Sequence, residues 1–562
     1  MKNKTLSKII DISLFVFVIM FLIAECLINL TPPITRDSII HHLAIPKLWL
    51  KHGGFYETPW ADFSYYPMYI NLLYLIPLYF KNYTIPAFIH MAFGIGTGWL
   101  IYLYLKKRFN RNWGLLGFFI FFSTPIVIWL STSAYIDLGA AFFSTASIIS
   151  FIKWRDTGYN SLKWLFISSF CMGIAIGSKY NILVAWFIVN LMTMVIYVQD
   201  TNKQMVALKY GAIFFSISLI VASPWFIKNL VLTGDPFYPL FQGFFKILQS
   251  EGPIKEIAAQ EIVKNYNGQV GFFKMRSLLY GENFLETLAI PIRMFFQGED
   301  NSYQYFQGRL NPILIIFLPF AFLKRNYGKD KLLFIIFSVF FIFIAFFLTE
   351  KQVRYLLPVI PFLTILSVTG IKNIYDAFMI NDSLSYKITK CVLYFSLLML
   401  LIPNFIYLRE HFNKIRPLPF IINRESRDEF LTRHLMDYEA VKFVNTNLPQ
   451  DAVVYTIYLG RRGFYLERNY RNDPSFGTEV LRRLAESSIS DDNFLKETLS
   501  LCTTHILMRT DLVDRFLQLN YSKEEIARLL NMVKKHWKQL YFKNGFAVWE
   551  IENTEIRRQN TE

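Results

Sequence analysis

Long apolar runs dominate the first 408 positions of this 562-residue chain and limit the folds that are open to it. A helix needs about 20 mostly apolar residues to cross the hydrocarbon core of a bilayer. We therefore predict a mainly α-helical, polytopic membrane protein with about eleven transmembrane helices, and not a series of soluble domains. The predicted spans are residues 9–30, 84–105, 114–131, 138–152, 164–178, 180–198, 210–230, 310–323, 332–348, 355–375 and 389–408.

The basic residues predict how these spans are oriented, because Lys and Arg in short loops favour the cytoplasmic side. Lys2, Lys4 and Lys8 precede the first span and place the N-terminus in the cytoplasm, as an uncleaved anchor in the cell (inner) membrane. The other basic clusters all follow even-numbered spans: Lys106–Arg111, Lys153–Lys163, Lys203–Lys209, Lys324–Lys331 and the pair Lys387 and Lys390. Membrane orientation thus accounts for the net charge of +16 without a nucleic-acid partner.

Three longer segments then lie on the extracytoplasmic side, at residues 31–83, 231–309 and 409–562. The first contains two amphipathic, aromatic stretches, 37–52 and 67–80, that are typical of helices lying in the membrane interface. The last 154 positions hold 46 of the 100 charged residues. This shift in composition predicts a transmembrane domain at 1–408 and a small soluble α/β domain at 409–562.

The sequence pattern of the tail is typical of a domain that contains both strands and helices. We predict helices at 438–447 and 523–535 and strands at 452–458, 504–508, 539–542 and 546–551. Lys543-Asn544-Gly545 between the last two strands is a hairpin turn signal.

Ionisable side chains near the extracytoplasmic ends of the spans are the candidate functional residues, because charge at membrane depth is costly. These residues are Asp37, Asp137, Lys179, Lys228 and Arg354. Two carboxylates and three cations at one membrane face suit transfer from an anionic lipid-linked donor. The cations neutralise a phosphate leaving group, and a carboxylate accepts the proton of an attacking hydroxyl.

Several short segments, in chain order, resemble the GT-C superfamily of membrane glycosyltransferases, close to glycosyltransferase family 39 and its bacterial protein-mannosyltransferase-like branch. The matching segments are Asp37–Lys47, Ser64–Met68, Ala134–Asp137, Gly173–Tyr180, Pro224–Asn229, Thr233–Pro239 and Arg354–Pro358. The tail also resembles the extracytoplasmic α/β domain that many members have.

The resemblance implies an inverting glycosyltransferase that moves a sugar from a polyprenyl phosphate to a hydroxyl of a lipid, glycan or protein. Asp37 matches the catalytic base and Asp137 the acid of the second loop. Lys179, Lys228 and Arg354 match positions near the donor phosphate. We expect His42, Tyr135 and Tyr180 to contact the substrates or line the cavity.

The sequence differs from the family pattern at one position, and it does not decide whether the protein binds a metal. Many members have a second acid directly after the base, where this chain has Ser38. Some members bind a divalent metal near the first loop. We identify no acidic ligand set for it, so a metal requirement stays open.

Other interpretations of the same residues remain. Asp37 and Asp137 are good helix N-caps, Lys179 and Lys228 suit snorkelling to the headgroups, and Arg354 suits interface anchoring. A transporter or flippase is the alternative function, although inverted repeats and broken helices are not evident. A non-catalytic receptor or assembly factor that binds through its tail is a second alternative. The sequence does not identify the sugar, the acceptor or the oligomeric state.

Overall fold

The computed structural model describes residues 2–240, 272–323, 328–348, 351–378, 384–473 and 477–551. Part of the predicted second long loop, residues 241–271, and part of one basic cluster, residues 324–327, lie outside the described residues. The chain divides into two compact units. The first comprises Met1–Thr31, Tyr65–Leu73 and Thr84–Pro417, and the second Pro32–Ser64, Tyr74–Tyr83 and Leu418–Glu562.

The first unit is built from helices. Its longer helices are Lys2–Asn29, Ile85–Arg108, Arg111–Phe122, Asp137–Asp156, Leu162–Ile176, Ile182–Thr201, Gln204–Thr233, Gly328–Ile342, Ile360–Phe378 and Leu384–Ile415. Shorter helices are Pro125–Ser131, Phe272–Tyr280, Phe284–Leu288, Ile290–Arg293 and Ile313–Ile316, with single turns at Pro319–Phe322, Phe343–Phe347 and Val353–Leu356. Tyr69–Tyr79 and Pro417–Ile421 begin among the residues of this unit and end among those of the second.

Each predicted span overlaps a helical segment. Six helices of the described residues are long and apolar enough to cross a membrane. A seventh candidate is the pair Arg111–Phe122 and Pro125–Ser131, which is bent by 71° at its break. Three further apolar helices are shorter, at Tyr69–Tyr79, Leu162–Ile176 and Ile313–Phe322. The helical membrane architecture is therefore as predicted, while the number of spans stays a prediction.

The helix Asp137–Asp156 lies in the interior of the helix bundle, which explains why this predicted span is less apolar than the others. The helix Asp137–Asp156 contains the buried hydroxyl residues Ser144, Thr145 and Ser147, and it packs against Leu162–Ile176 and Ile85–Arg108. A helix surrounded by other helices does not need a fully apolar surface. Close packing nearby requires glycine, since a Cβ on Gly173 would lie 2.7 Å from the Ser218 carbonyl oxygen.

The second unit contains a five-stranded sheet. Its strands are β1 (Val453–Ile457), β2 (Asn469–Asn472), β3 (His505–Arg509), β4 (Trp537–Lys543) and β5 (Phe546–Ile551), in the order β2-β1-β3-β5-β4. β1 is parallel to β2 and β3, whereas β5 is antiparallel to β3 and β4. The predicted α/β tail is confirmed, and Asn544 and Gly545 form the β4–β5 turn with positive φ.

Helices cover this sheet and complete its hydrophobic core. They are Arg427–His434, Tyr438–Asn447, Thr478–Ser487, Asp491–Ser500, Thr510–Asn520 and Lys523–His536. Ile457, Leu484 and Ile506 are fully buried in the core. The sequence analysis did not identify β2 or the three helices at 478–520, because these segments are short and strongly charged.

The second unit also includes most of the predicted first loop, Pro32–Ser64 and Tyr74–Tyr83. Residues 38–42 form one π-helical turn, Ser38–His42, and the helix Ala44–His52 follows directly. A 3-10 turn, Asp62–Tyr65, ends this part of the chain. The candidate base Asp37 therefore belongs to the same compact unit as the tail.

Candidate active site

A buried ion pair between Asp137 and Lys179 lies at the centre of the candidate site. The Asp137 side chain is 2% exposed, and Lys179 Nζ is 2.5 Å from its Oδ1. Asp137 is the first residue of its helix, with Ile136 at the cap position. The carboxylate therefore has two sources of stabilisation, the Lys179 ammonium and the positive N-terminal end of the helix.

Arg354 brings a second cation to this pair. Its guanidinium carbon lies 5.5 Å from the Tyr135 ring centre and 5.3 Å from that of Tyr355. Lys179 Nζ is 4.4 Å from the centre of the same Tyr355 ring. Arg354 and Lys179 both act electrostatically on Asp137. Aromatic faces stabilise nearby cations, so Tyr135 and Tyr355 favour the charged forms of Arg354 and Lys179.

A hydrogen-bonded group around Tyr180 adjoins the cluster. The Tyr180 hydroxyl donates to the Tyr238 carbonyl at 2.9 Å and accepts from Asn229 Nδ2 at 3.1 Å. Asn229 Nδ2 also lies 2.8 Å from the Tyr65 carbonyl oxygen. Asn181 Nδ2 donates to the Tyr355 carbonyl at 3.3 Å and so links this group to the cations.

The third predicted cation, Lys228, lies beside this group. Its Nζ is 4.4 Å from the centre of the Trp225 ring and 5.7 Å from that of Tyr65. The structure therefore brings Asp137, Lys179 and Arg354 together directly, and places Lys228 and Tyr180 in the adjoining aromatic group.

His90 fixes the loop that leads to Asp137. Its Nδ1 lies 2.9 Å from the carbonyl oxygens of both Leu130 and Ser133, and its Nε2 accepts the Leu138 amide at 2.9 Å. Because Nε2 accepts a hydrogen bond here, the ring proton is on Nδ1. The sequence analysis missed His90, although a histidine inside a predicted span was a usable signal.

A second missed group is on the first helix. Glu25 is fully buried beside Ser131, and Asn29 Nδ2 donates to the Ser131 carbonyl at 2.9 Å. Ser131 is the last residue of the helix Pro125–Ser131, which precedes the loop that contains Tyr135. An acid within a predicted span was the signal that the sequence offered.

Asp37 and His42 belong to the second unit. Asp37 is partly buried and occupies the cap position of Ser38–His42, but its side chain makes no capping hydrogen bond. The helix-cap interpretation of Asp37 therefore loses its support. His42 is 4% exposed, and its ring centre lies 4.1 Å from that of His41. Their part in the site stays a prediction.

The described residues offer no ready metal ligand set. In that part of the chain, no three His, Cys, Asp or Glu side chains gather in an arrangement that holds a metal ion. We assign no step to a metal.

These features define the class of protein: an integral membrane protein with a cation-rich polar site at the ends of its helices and a separate α/β unit. The family model for dolichyl-phosphate-mannose-protein mannosyltransferase (PMT) matches residues 54–242. No curated protein sequence matches the chain.

Solved structures match almost the whole chain. ArnT from Cupriavidus metallidurans bound to undecaprenyl phosphate is 13% identical with a TM-score of 0.55, over 95% of this chain and 97% of ArnT. The Archaeoglobus fulgidus oligosaccharyltransferase in its apo form is 13% identical with a TM-score of 0.53, over 97% of this chain and 75% of that protein. The chain therefore shares the fold of these proteins, and the family model and the structural matches agree with the resemblance to GT-C glycosyltransferases seen in the sequence.

Proposed function

We propose that this protein is an inverting glycosyltransferase that moves a sugar from a polyprenyl-phosphate donor to a hydroxyl acceptor at the extracytoplasmic membrane face. The observation that carries the proposal is the cation-rich cluster of Asp137, Lys179 and Arg354 within a GT-C fold. The acceptor is a lipid, a glycan or a protein. The bilayer holds the isoprenoid tail of the donor.

The cations of the cluster suit an anionic ligand. Lys179 pairs with Asp137, while the Arg354 guanidinium lies near the rings of Tyr135 and Tyr355 and donates to Gln352. A guanidinium presents its N–H donors in a planar fork that is well suited to phosphate oxygens. ArnT, which has the same fold, has been crystallised with undecaprenyl phosphate.

The reaction follows from these roles as a single displacement. The acceptor hydroxyl gives its proton to the Asp37 carboxylate, and its oxygen forms a bond to the anomeric carbon. The bond between that carbon and the phosphate oxygen breaks, and its electron pair leaves with the polyprenyl phosphate. Arg354, helped by Lys179 and Lys228, stabilises the charge of the leaving group. One displacement inverts the anomeric configuration.

In this mechanism, the role of Asp137 is to orient the neighbouring cations. Its carboxylate holds the Lys179 ammonium in place, and its helix begins beside Tyr135, whose ring faces Arg354. Because a buried lysine without a counter-ion tends to lose its proton, Asp137 also keeps Lys179 charged for the donor. We therefore assign Asp137 a positioning role.

A turnover assay tests the proposal. Purified protein is incubated with a panel of polyprenyl-phosphate sugars, and release of polyprenyl phosphate is measured for wild type, Asp37→Asn and Arg354→Ala. We expect both variants to lose at least 100-fold in rate. Glu57→Gln, at an exposed acid of the same loop, and Arg309→Ala, at a partly exposed arginine paired with Glu410, are the matched controls and keep wild-type rates.

Two outcomes contradict the proposal. Wild-type rates in both Asp37→Asn and Arg354→Ala overturn the site assignment. Movement of the lipid-linked sugar across vesicle membranes without sugar transfer favours the flippase alternative.

A further inference from the structure

The first loop and the tail are far apart in the chain and close together in space. Residues Pro32–Ser64 belong to the compact unit formed by the tail, although about 400 residues separate them in sequence. The question is which part of the tail holds the loop, and what that contact does for Asp37.

One tail segment, Gly460–Glu467, makes the contacts on both sides of Asp37. We call it the clamp segment. The Phe464 amide donates to the Ile39 carbonyl at 3.2 Å, two residues after Asp37. The Tyr465 hydroxyl donates to the Pro33 carbonyl at 2.7 Å, four residues before it. Asp37 is thus bracketed by two hydrogen bonds from adjacent residues of the tail.

The helix after Asp37 is bound to the same segment. Lys47 Nζ donates to the Phe464 carbonyl at 2.8 Å and pairs with Glu467 at 2.9 Å. Asp62 Oδ2, near the end of the loop, lies 3.2 Å from Arg461 Nη1. Burial lowers the pKa of Lys47, and the nearby Glu467 acts in the opposite direction to keep the ammonium charged.

The shape of the clamp segment is specified by its backbone. Tyr458, Gly460 and Arg461 have φ of +57°, +65° and +61°, so the chain turns sharply after β1. A Cβ on Gly463 would lie 2.1 Å from the Tyr470 ring, so only glycine fits there. Left-handed non-glycine residues are costly, and surrounding structure must hold them.

We propose that the clamp segment is the positioning element of the candidate base: Tyr465 and Phe464 fix the backbone on either side of Asp37. This inference rests on the proposed function for Asp37. A carboxylate that must accept a proton in the transition state gains from a fixed backbone, since small misplacements of a catalytic group lower the rate strongly. A contact that only attaches the tail would not need to bracket Asp37.

Tyr465→Phe is the direct test, and Tyr438→Phe is its matched control. Both tyrosines are buried in the same unit, at 8% and 6% exposure, and each hydroxyl donates one hydrogen bond of 2.7 Å. The Tyr438 hydroxyl donates to Asp428 within the tail, and its ring, which packs against the Tyr465 ring, is kept in Tyr438→Phe. Each variant thus loses one comparable hydrogen bond, but only Tyr465→Phe releases the segment around Asp37.

Two readouts are measured on the full-length protein. Hydrogen–deuterium exchange of peptides covering residues 32–43 should accelerate at least three-fold in Tyr465→Phe and stay at the wild-type rate in Tyr438→Phe. In the turnover assay, kcat should fall at least five-fold in Tyr465→Phe while KM for the donor stays within two-fold. The midpoints of thermal unfolding of the two variants should agree.

The outcomes separate the two proposals. Unchanged exchange at 32–43 in Tyr465→Phe overturns the positioning role, whether or not the wild type turns over. Faster exchange with unchanged kcat in an active enzyme also overturns it. If wild type shows no transfer with any donor, the proposed function fails, and faster exchange then supports only the structural part of the inference.

Discussion

The two ends of the helix Asp137–Asp156 both hold buried charge, but they balance it differently. They are about 28 Å apart, given the rise of an α-helix. At the Asp137 end, one carboxylate faces Lys179 and Arg354. At the Asp156 end, three aspartates and three basic residues form one network: Asp156, Asp200 and Asp330 with Lys107, Arg108 and Arg155.

At the Asp156 end, acidic and basic side chains pair with one another. Arg155 Nε lies 2.6 Å from Asp200, and Arg108 Nη2 lies 2.6 Å from Asp330. The hydroxyls of Tyr159 and Tyr104 donate to the same two aspartates. A cavity of about 580 Å³ opens among these side chains. The acidic and basic side chains around this cavity pair with one another. The network is therefore suited to a structural role, which is to join four helix ends.

A structural network and a binding site in one bundle can be told apart by how their charges are paired. A network of matched pairs gains little from an added ion, whereas two cations around one carboxylate in a site of low dielectric constant suit an anion. Substitutions at the Asp156 end should therefore lower stability more than activity. Substitutions at the Asp137 end should lower activity, and they should lower stability only where they leave a buried charge alone.

Lys179→Met should have the largest effect, because it leaves the buried Asp137 carboxylate without its ion-pair partner. We expect a loss of about 3 kcal/mol in stability together with the loss of transfer. Adding Asp137→Asn should restore most of the stability but not the activity. Thermal unfolding in detergent measures the first effect, with the exposed Lys107→Met as control. Equal unfolding midpoints for wild type and Lys179→Met would contradict the buried pair.

Arg354→Ala should lower kcat/KM by about 100-fold, the usual size of the loss when one donor to a developing anion is removed. Its stability should fall by no more than about 1 kcal/mol, the usual size of a cation–π contact such as those of Arg354 with Tyr135 and Tyr355. Parallel turnover and unfolding measurements check this. A fall in stability without loss of rate would show that Arg354 has a structural role and no role in transfer.

Asp330→Asn should show the opposite pattern at the other end. It removes a charged acceptor shared by Arg108 and Tyr104, and we expect a loss of about 2 kcal/mol in stability. The rate of the folded protein should stay within two-fold of wild type. A selective loss of rate would show that the two ends are coupled.

Asp156→Asn should have the smallest effect. Its side chain is 30% exposed and pairs with Lys107, which is 64% exposed, so solvent screens the interaction. We expect less than about 1 kcal/mol in stability and a smaller loss at high salt. An effect as large as that of Asp330→Asn would contradict the distinction between the buried and exposed parts of the network.

Much of this architecture could be predicted from local sequence. The apolar runs place helices where the structure has them, and charge at the ends of the runs singles out Asp137, Lys179 and Arg354. Local patterns did not predict the contacts of Tyr355 and Asn229, because an aromatic residue or an amide near a span end looks like ordinary interface sequence. They also did not predict that the first loop is part of the tail unit.

Hydropathy and charge act through composition and spacing, so they specify the helical membrane class, the α/β tail and the candidate charges. The partners emerge from the folded chain: Lys179 for Asp137, two tyrosine rings for Arg354, and the clamp segment for the chain around Asp37. Such pairings join residues that are tens to hundreds of positions apart. They depend on how helices and loops pack, and no local pattern records that packing.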